Sequence, residues 1–158
     1  MRRIFFQELY KNMDQNDKII SLTGDLGYGG FDKIISDFPD RFFNCQAAEL
    51  SMMGVACGLA LEGKIPVVYS IGTFLIYRPF EIIRTYINHE NMPVKLISSG
   101  RDKDYEHDGI SHWMDDIKIY LDTFKNIKQY WPEKQEEIAS ILPEMLSNNR
   151  PCFLSLKR

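Results

Sequence analysis

The stretch Asn44-Cys45-Gln46-Ala47-Ala48-Glu49-Leu50-Ser51-Met52-Met53-Gly54 sets one carboxylate near the start of a helix made otherwise of small and apolar residues. An acid in a first helical turn is favoured by the helix dipole, which alone would account for it. A carboxyl among alanines and methionines is also starved of water, the setting of a group that shares or donates a proton. Further along, Asp108-Gly109-Ile110-Ser111-His112 closes a charged loop that starts after Ser99. Such a loop is a solvated connection by default, but loops at strand ends are also where α/β proteins carry their reactive groups. Between the two lie Thr73, Phe74, Tyr77 and Phe80, with the aromatic residues at helical spacing. By itself that stripe reads as core.

The elements that must position these groups follow from the hydrophobic pattern. Strand-length apolar runs fall at residues 19–23, 41–43, 65–70, 94–99 and 152–156. Helical periodicity falls at 4–14, 31–37, 47–61, 78–89 and 133–147, with Pro143 expected to kink or split the last. Alternating strands and helices predict an α/β fold, one domain over residues 1–158, with a mostly parallel sheet and helices on both faces. The strand after Pro151 is expected to close the sheet. Gly54 and Gly58 share a helix face with Ala47, so a neighbouring backbone can approach closely, and the 47–61 helix is expected to be buried.

Composition narrows the partners. A net charge of −3 with interspersed signs provides no basic field for nucleic acid or an anionic membrane. The longest apolar runs are too short to span a bilayer, and Arg2 and Arg3 lead into no signal-peptide core, so a cytoplasmic protein is expected. Cys45, Cys57 and Cys152 are scattered and lack CxxC spacing, so reduced, partly buried thiols are expected. Ser21 to Gly30 is rich in glycine but lacks the GxGxxG register of a dinucleotide loop.

AAELSMMGVACGLALEG followed by IPVVYSIGTFLIYRPFEIIR, with the DGxSH loop further on, resembles the pyrimidine-binding domain of transketolases and deoxyxylulose-phosphate synthases. The resemblance covers most of the chain and implies the thiamine-diphosphate-binding fold of the pyrimidine-domain type. It gives Glu49 the hydrogen bond to N1′ of the cofactor's aminopyrimidine, where a shared proton promotes the imino tautomer that activates the thiazolium. Phe74, Tyr77 and Phe80 match the aromatic wall around that ring. Asp25 matches a strand-end aspartate near the cofactor and subunit interface; by itself it also reads as a turn residue. Asp108 receives a substrate-hydroxyl role, and His112 a role in proton transfer or oxyanion contact. The stretch from Trp113 to Ile117 departs from the family's usual continuation.

The family's diphosphate and metal motif, GDG with a later asparagine, has no counterpart here: Leu26 stands where its second glycine would be, and Asn44 comes too early. No metal ligand is therefore expected on this chain, and Mg2+ or Ca2+ is expected on a separate diphosphate-binding subunit. The functional unit is expected to be a heteromer, an α2β2 heterotetramer with self-associated pyrimidine domains, unless the chain is an excised piece. The implied reaction is transfer of a two-carbon ketol unit between sugars or sugar phosphates. Decarboxylating carboligation, a 2-oxoacid dehydrogenase β-type subunit and a non-catalytic assembly domain are the alternatives.

Overall fold

In the computed structural model, which describes residues 1–158, the chain alternates helices and strands in the order α1 (Arg2–Gln15), β1 (Ile19–Thr23), α2 (Asp32–Asp37), β2 (Phe42–Asn44), α3 (Glu49–Leu61), β3 (Ile65–Ile71) and α4 (Gly72–Tyr77). It continues through α5 (Phe80–Ile82), β4 (Lys95–Ser99), α6 (Ile117–Asp122), β5 (Lys128–Tyr130), α7 (Ile138–Ser147) and β6 (Cys152–Leu156). The strands form one six-stranded sheet in the order β2-β1-β3-β4-β6-β5, parallel throughout. β1, β4 and β6 are buried along their whole length, as strands covered by helices on both faces must be.

Each face of the sheet has its own core. One packs Met52, Met53, Ala56 and Cys57 of α3 and Leu75 and Ile76 of α4 against Leu22, Val68 and Leu96. The other sets Phe5, Leu9 and Met13 of α1 and Ile138, Leu142 and Met145 of α7 against Val67, Tyr69 and Leu154. Spacings of three and four along α1 and α7 make those apolar stripes. The chain runs from β1 outward to β2 and returns to β3 on the other side of β1. This reversal opens a crevice beyond the carboxyl ends of β1 and β3, where ligands of open α/β sheets bind.

Several expected elements are corrected. The helix expected at 78–89 is preceded by α4, and Pro79, lacking an amide hydrogen, separates α4 from α5, which continues into a π-helical turn over Ile83–His89. Pro143 neither splits nor ends α7, whose bounds are Ile138–Ser147, and the residues before it form only a 3-10 turn at Gln135–Glu137. α3 starts at Glu49, so Ala47 and Ala48 lie outside it. β6 does not close the sheet: β5, too short and polar to stand out in the sequence, pairs along its outer side. The glycine face of α3 is not buried either. Gly54 and Gly58 meet nothing within 4 Å of an added Cβ, and Leu50, Val55 and Leu61 are exposed beside them.

Candidate active site

Glu49 is the first residue of α3, at the crevice between β1 and β3, and only 1% of it is accessible. Three elements hold its carboxylate. Ser70, near the end of β3, donates its hydroxyl to Oε1 at 3.2 Å. Arg78, just after α4, donates Nη1 to Oε2 at 2.6 Å. Gly24, just past β1, backs the group: a Cβ there would stand 3.0 Å from both Glu49 Oε1 and Ser70 Oγ. The expectation of a carboxyl set only among alanines and methionines is thus corrected, because the fold brings a cation from 29 residues away to neutralise it. Breaking a fully buried pair costs about 3–5 kcal/mol. The cost is smaller here, since the Arg78 side chain is 42% exposed.

Phe74 belongs to the same cluster. The Arg78 guanidinium lies 3.8 Å from the centre of its ring, and His112 meets it edge-on at 4.9 Å. The loop is fastened to α4 by the Thr73 hydroxyl, which donates to the Ser111 carbonyl at 2.7 Å. Glu49, Phe74 and His112, far apart in the sequence, therefore converge on Arg78 and α4. Tyr77 and Phe80 turn to a second cluster, where both pack edge-on against Tyr120. The Tyr77 hydroxyl donates to Asp116, and burial followed by that bond pushes its ionisation upward.

Asp25 has a left-handed backbone, φ 54°, and lies on the surface beside this crevice. Its carboxylate accepts from Asn44 Nδ2 at 3.1 Å and from the Tyr28 hydroxyl at 2.8 Å, and these bonds hold its ionisation below the usual aspartate value. It ties the end of β1 to the end of β2. Asp108 is exposed on the loop, with its Oδ2 3.3 Å from His107 Nε2, and His112 Nδ1 lies 3.0 Å from Ser111 Oγ. The glycines after β1 serve packing: a Cβ on Gly27 or Gly30 would strike Phe31 or Phe6 at 2.7 and 2.2 Å.

A cavity of about 1220 Å³ opens on the α1 side of the sheet, away from Glu49. Arg2, Arg3, Lys11, Lys33 and Arg158 line it, with no Asp or Glu among the lining residues. Arg2 Nη1 donates to the Tyr105 hydroxyl at 3.2 Å, and the Tyr105 ring lies 6.3 Å from that of His112. Arg2, Arg3 and Lys11 share α1, and Lys33 and Arg158 join them only through the fold. Arg78 was missed because an arginine before a proline on a predicted helix start carries no sign of its partner.

A thiamine cofactor's aminopyrimidine is compatible with this geometry. A buried carboxylate beside an aromatic face offers a hydrogen-bonding edge and a stacking surface, and Gly24 leaves the carboxylate room that a side chain would take. The chain gathers no group of three His, Cys, Asp or Glu side chains able to hold a metal. The thiols are free, and burial raises that of Cys57 to about 11. No helix is long and apolar enough to cross a membrane.

Fold and crevice together define an open α/β domain with a crevice at a topological switch point. Residues 1–158 match the family model of the transketolase pyrimidine-binding domain, and the chain belongs to that family. It is 34% identical over 160 residues to a putative transketolase C-terminal section of Methanocaldococcus jannaschii, covering 100% of this chain and 50% of that protein. It is 27% identical to a 6-deoxy-6-sulfo-D-fructose transketolase subunit of Clostridium sp., over 100% of this chain and 49% of that one. A solved split-gene transketolase, described as an inactive β4 tetramer, superposes with a TM-score of 0.87 at 28% identity, over 99% of this chain and 50% of that chain. A transketolase from Leishmania mexicana shares the fold with a TM-score of 0.87 at 18% identity, over 99% of this chain and 25% of that chain. The chain thus spans about half the length, or less, of the relatives it matches. The family implies use of thiamine diphosphate.

Proposed function

We propose that residues 1–158 are the pyrimidine-binding unit of a thiamine-diphosphate-dependent transketolase, transferring a two-carbon ketol unit between sugars or sugar phosphates. The observation that carries this reading is Glu49, a fully buried carboxylate at a helix start, held against Phe74 through a half-exposed partner. When bound, the cofactor supplies a carbon nucleophile that holds the transferred unit. Glu49 would hold the aminopyrimidine at N1′ and share a proton there, across the ring from its amino group. Phe74 packs on the ring, while Tyr77 and Phe80, turned to Tyr120, act one layer further out by supporting α4 behind Phe74. Asp25 shapes the crevice lip. Asp108 takes substrate hydroxyls, and His112, steadied by Phe74 and Ser111, moves a proton at the substrate oxygen.

The diphosphate and its Mg2+ or Ca2+ belong on a separate diphosphate-binding subunit. The exposed small-residue face of α3 suits self-association about a two-fold axis, and two partner chains complete a heterotetramer. A cytoplasmic location fits the free thiols. The test is reconstitution with a diphosphate-binding transketolase subunit, cofactor and Mg2+, comparing the parent with Glu49→Gln. The amide should leave assembly intact and lower ketol transfer by about 10²–10⁴, with slower exchange of the cofactor's C2 proton. Exchange as fast as the parent's would remove Glu49 from the role.

A further inference from the structure

Arg78 makes, within the chain, both contacts that a flat nitrogenous ring would make at this site. Its guanidinium is planar and edged with N–H donors. One edge donates to Glu49 Oε2 at 2.6 Å, and its face lies 3.8 Å from the centre of Phe74. Ser70 already donates to Oε1, and Gly24 backs that oxygen, so Oε2 is the oxygen open to a ligand. Arg78 covers it. Yet its side chain remains 42% exposed, at the break between α4 and α5 where Pro79 follows, so it can leave for solvent without unpacking the core.

We propose that Arg78 is a built-in placeholder for the aminopyrimidine, occupying Glu49 and Phe74 while the site is empty and swinging away when the ring enters. The proposal rests on the assignment of Glu49 to the aminopyrimidine made above. Its physical logic is that a carboxylate 1% exposed is costly to leave unpaired, and a chain whose cofactor is anchored elsewhere must survive with the site empty. A mobile cation meets that need, whereas a buried one would lock the site. The consequence is competition. Apparent affinity for the ring falls by the fraction of time the guanidinium is absent, so removing Arg78 should tighten binding.

The probe is 4-amino-5-hydroxymethyl-2-methylpyrimidine, titrated into the isotope-labelled full chain and followed by NMR. Arg78→Met, which keeps length without charge or planarity, should bind it about tenfold more tightly than the parent. Arg78→Lys, which keeps the charge but loses the flat stacked face, should fall between. In the parent, saturating probe should move the Arg78 guanidinium signals toward those of a solvated arginine, a readout independent of whether either variant folds. Binding by the variants no tighter than by the parent, or guanidinium signals that stay put at saturation, would overturn the placeholder. Glu49→Gln separates the two readings. If it weakens probe binding while Arg78→Met brings no gain, only the placeholder fails. If it changes nothing in either background, the assignment of Glu49 fails and the placeholder with it, as both do if no variant binds at the probe's solubility limit.

Discussion

Two buried charges sit at opposite edges of the sheet, and they are held in opposite ways. Glu49, at the carboxyl edge, is neutralised by one long side chain that is half in solvent. Lys95, at the start of β4, is fully buried, and its Nζ donates to the Asn148 carbonyl at 2.8 Å, Asn148 Oδ1 at 3.0 Å and the Arg150 carbonyl at 2.7 Å. The lysine fastens the end of α7 and the turn into β6 to the sheet, and its partners are mostly backbone. A charge held by fixed backbone acceptors is part of the framework. A charge held by a movable side chain can be handed to a ligand at little cost to the fold.

Lys95→Ala should expose that difference most strongly. It opens a cavity and strips the donor from three part-buried acceptors, so stability should fall by about 2–4 kcal/mol at neutral pH. Chemical denaturation reads the loss, and probe binding at Glu49 should be unchanged in the folded fraction. A loss below about 1 kcal/mol would show that water replaces the ammonium.

The pH dependence of the same lysine comes next. Burial lowers its ionisation from the ordinary 10.5 to about 8, with Arg150 adding to the shift and Cys152 opposing it. Between those values the unfolded chain holds a proton that the folded chain has shed, so this group's contribution to stability rises with pH across the window. The rise is at most about 3 kcal/mol. It should appear as a parent-minus-Lys95→Ala difference growing from pH 8 to pH 10.5, and a flat difference would remove the cause.

At the other edge, Gly24→Ala tests how tightly the carboxylate is placed. The added Cβ stands 3.0 Å from Glu49 Oε1, so the carboxylate must shift by a few tenths of an ångström. Ketol transfer in the reconstituted complex should drop about tenfold, while the melting curve moves little. A large fall in stability with full specific activity would make Gly24 a packing residue alone. The smallest effect is expected of Thr73→Val, which removes the hydroxyl that tethers the loop at the Ser111 carbonyl. The cost should be about 1 kcal/mol, with faster amide exchange confined to the Asp108–His112 loop. Faster exchange in β3 or β4 as well would mean that the tether also supports the sheet.

Where an element writes its own pattern, it was legible. β1 and β6 occupy the expected residues, because strands buried on both faces are continuous apolar runs. β5 was not, since three residues, Lys-Gln-Tyr, carry no pattern and pair only because β6 offers an edge. The core face of α3 is buried as expected, but its glycine face stays open in the single chain, because small residues permit close packing without supplying the neighbour.

From sequence alone came the alternation of elements, the Glu49 helix start, the aromatic stripe and the loop ending at His112, all features of consecutive residues whose chemistry and spacing are local. The tertiary structure decided which groups meet. It set Arg78 across Glu49 and onto Phe74, brought His112 to that ring through Thr73, and gathered Arg2, Lys33 and Arg158 around one cavity. Those meetings depend on strand order and on the reversal between β1 and β3, where segments distant along the chain are brought together by packing.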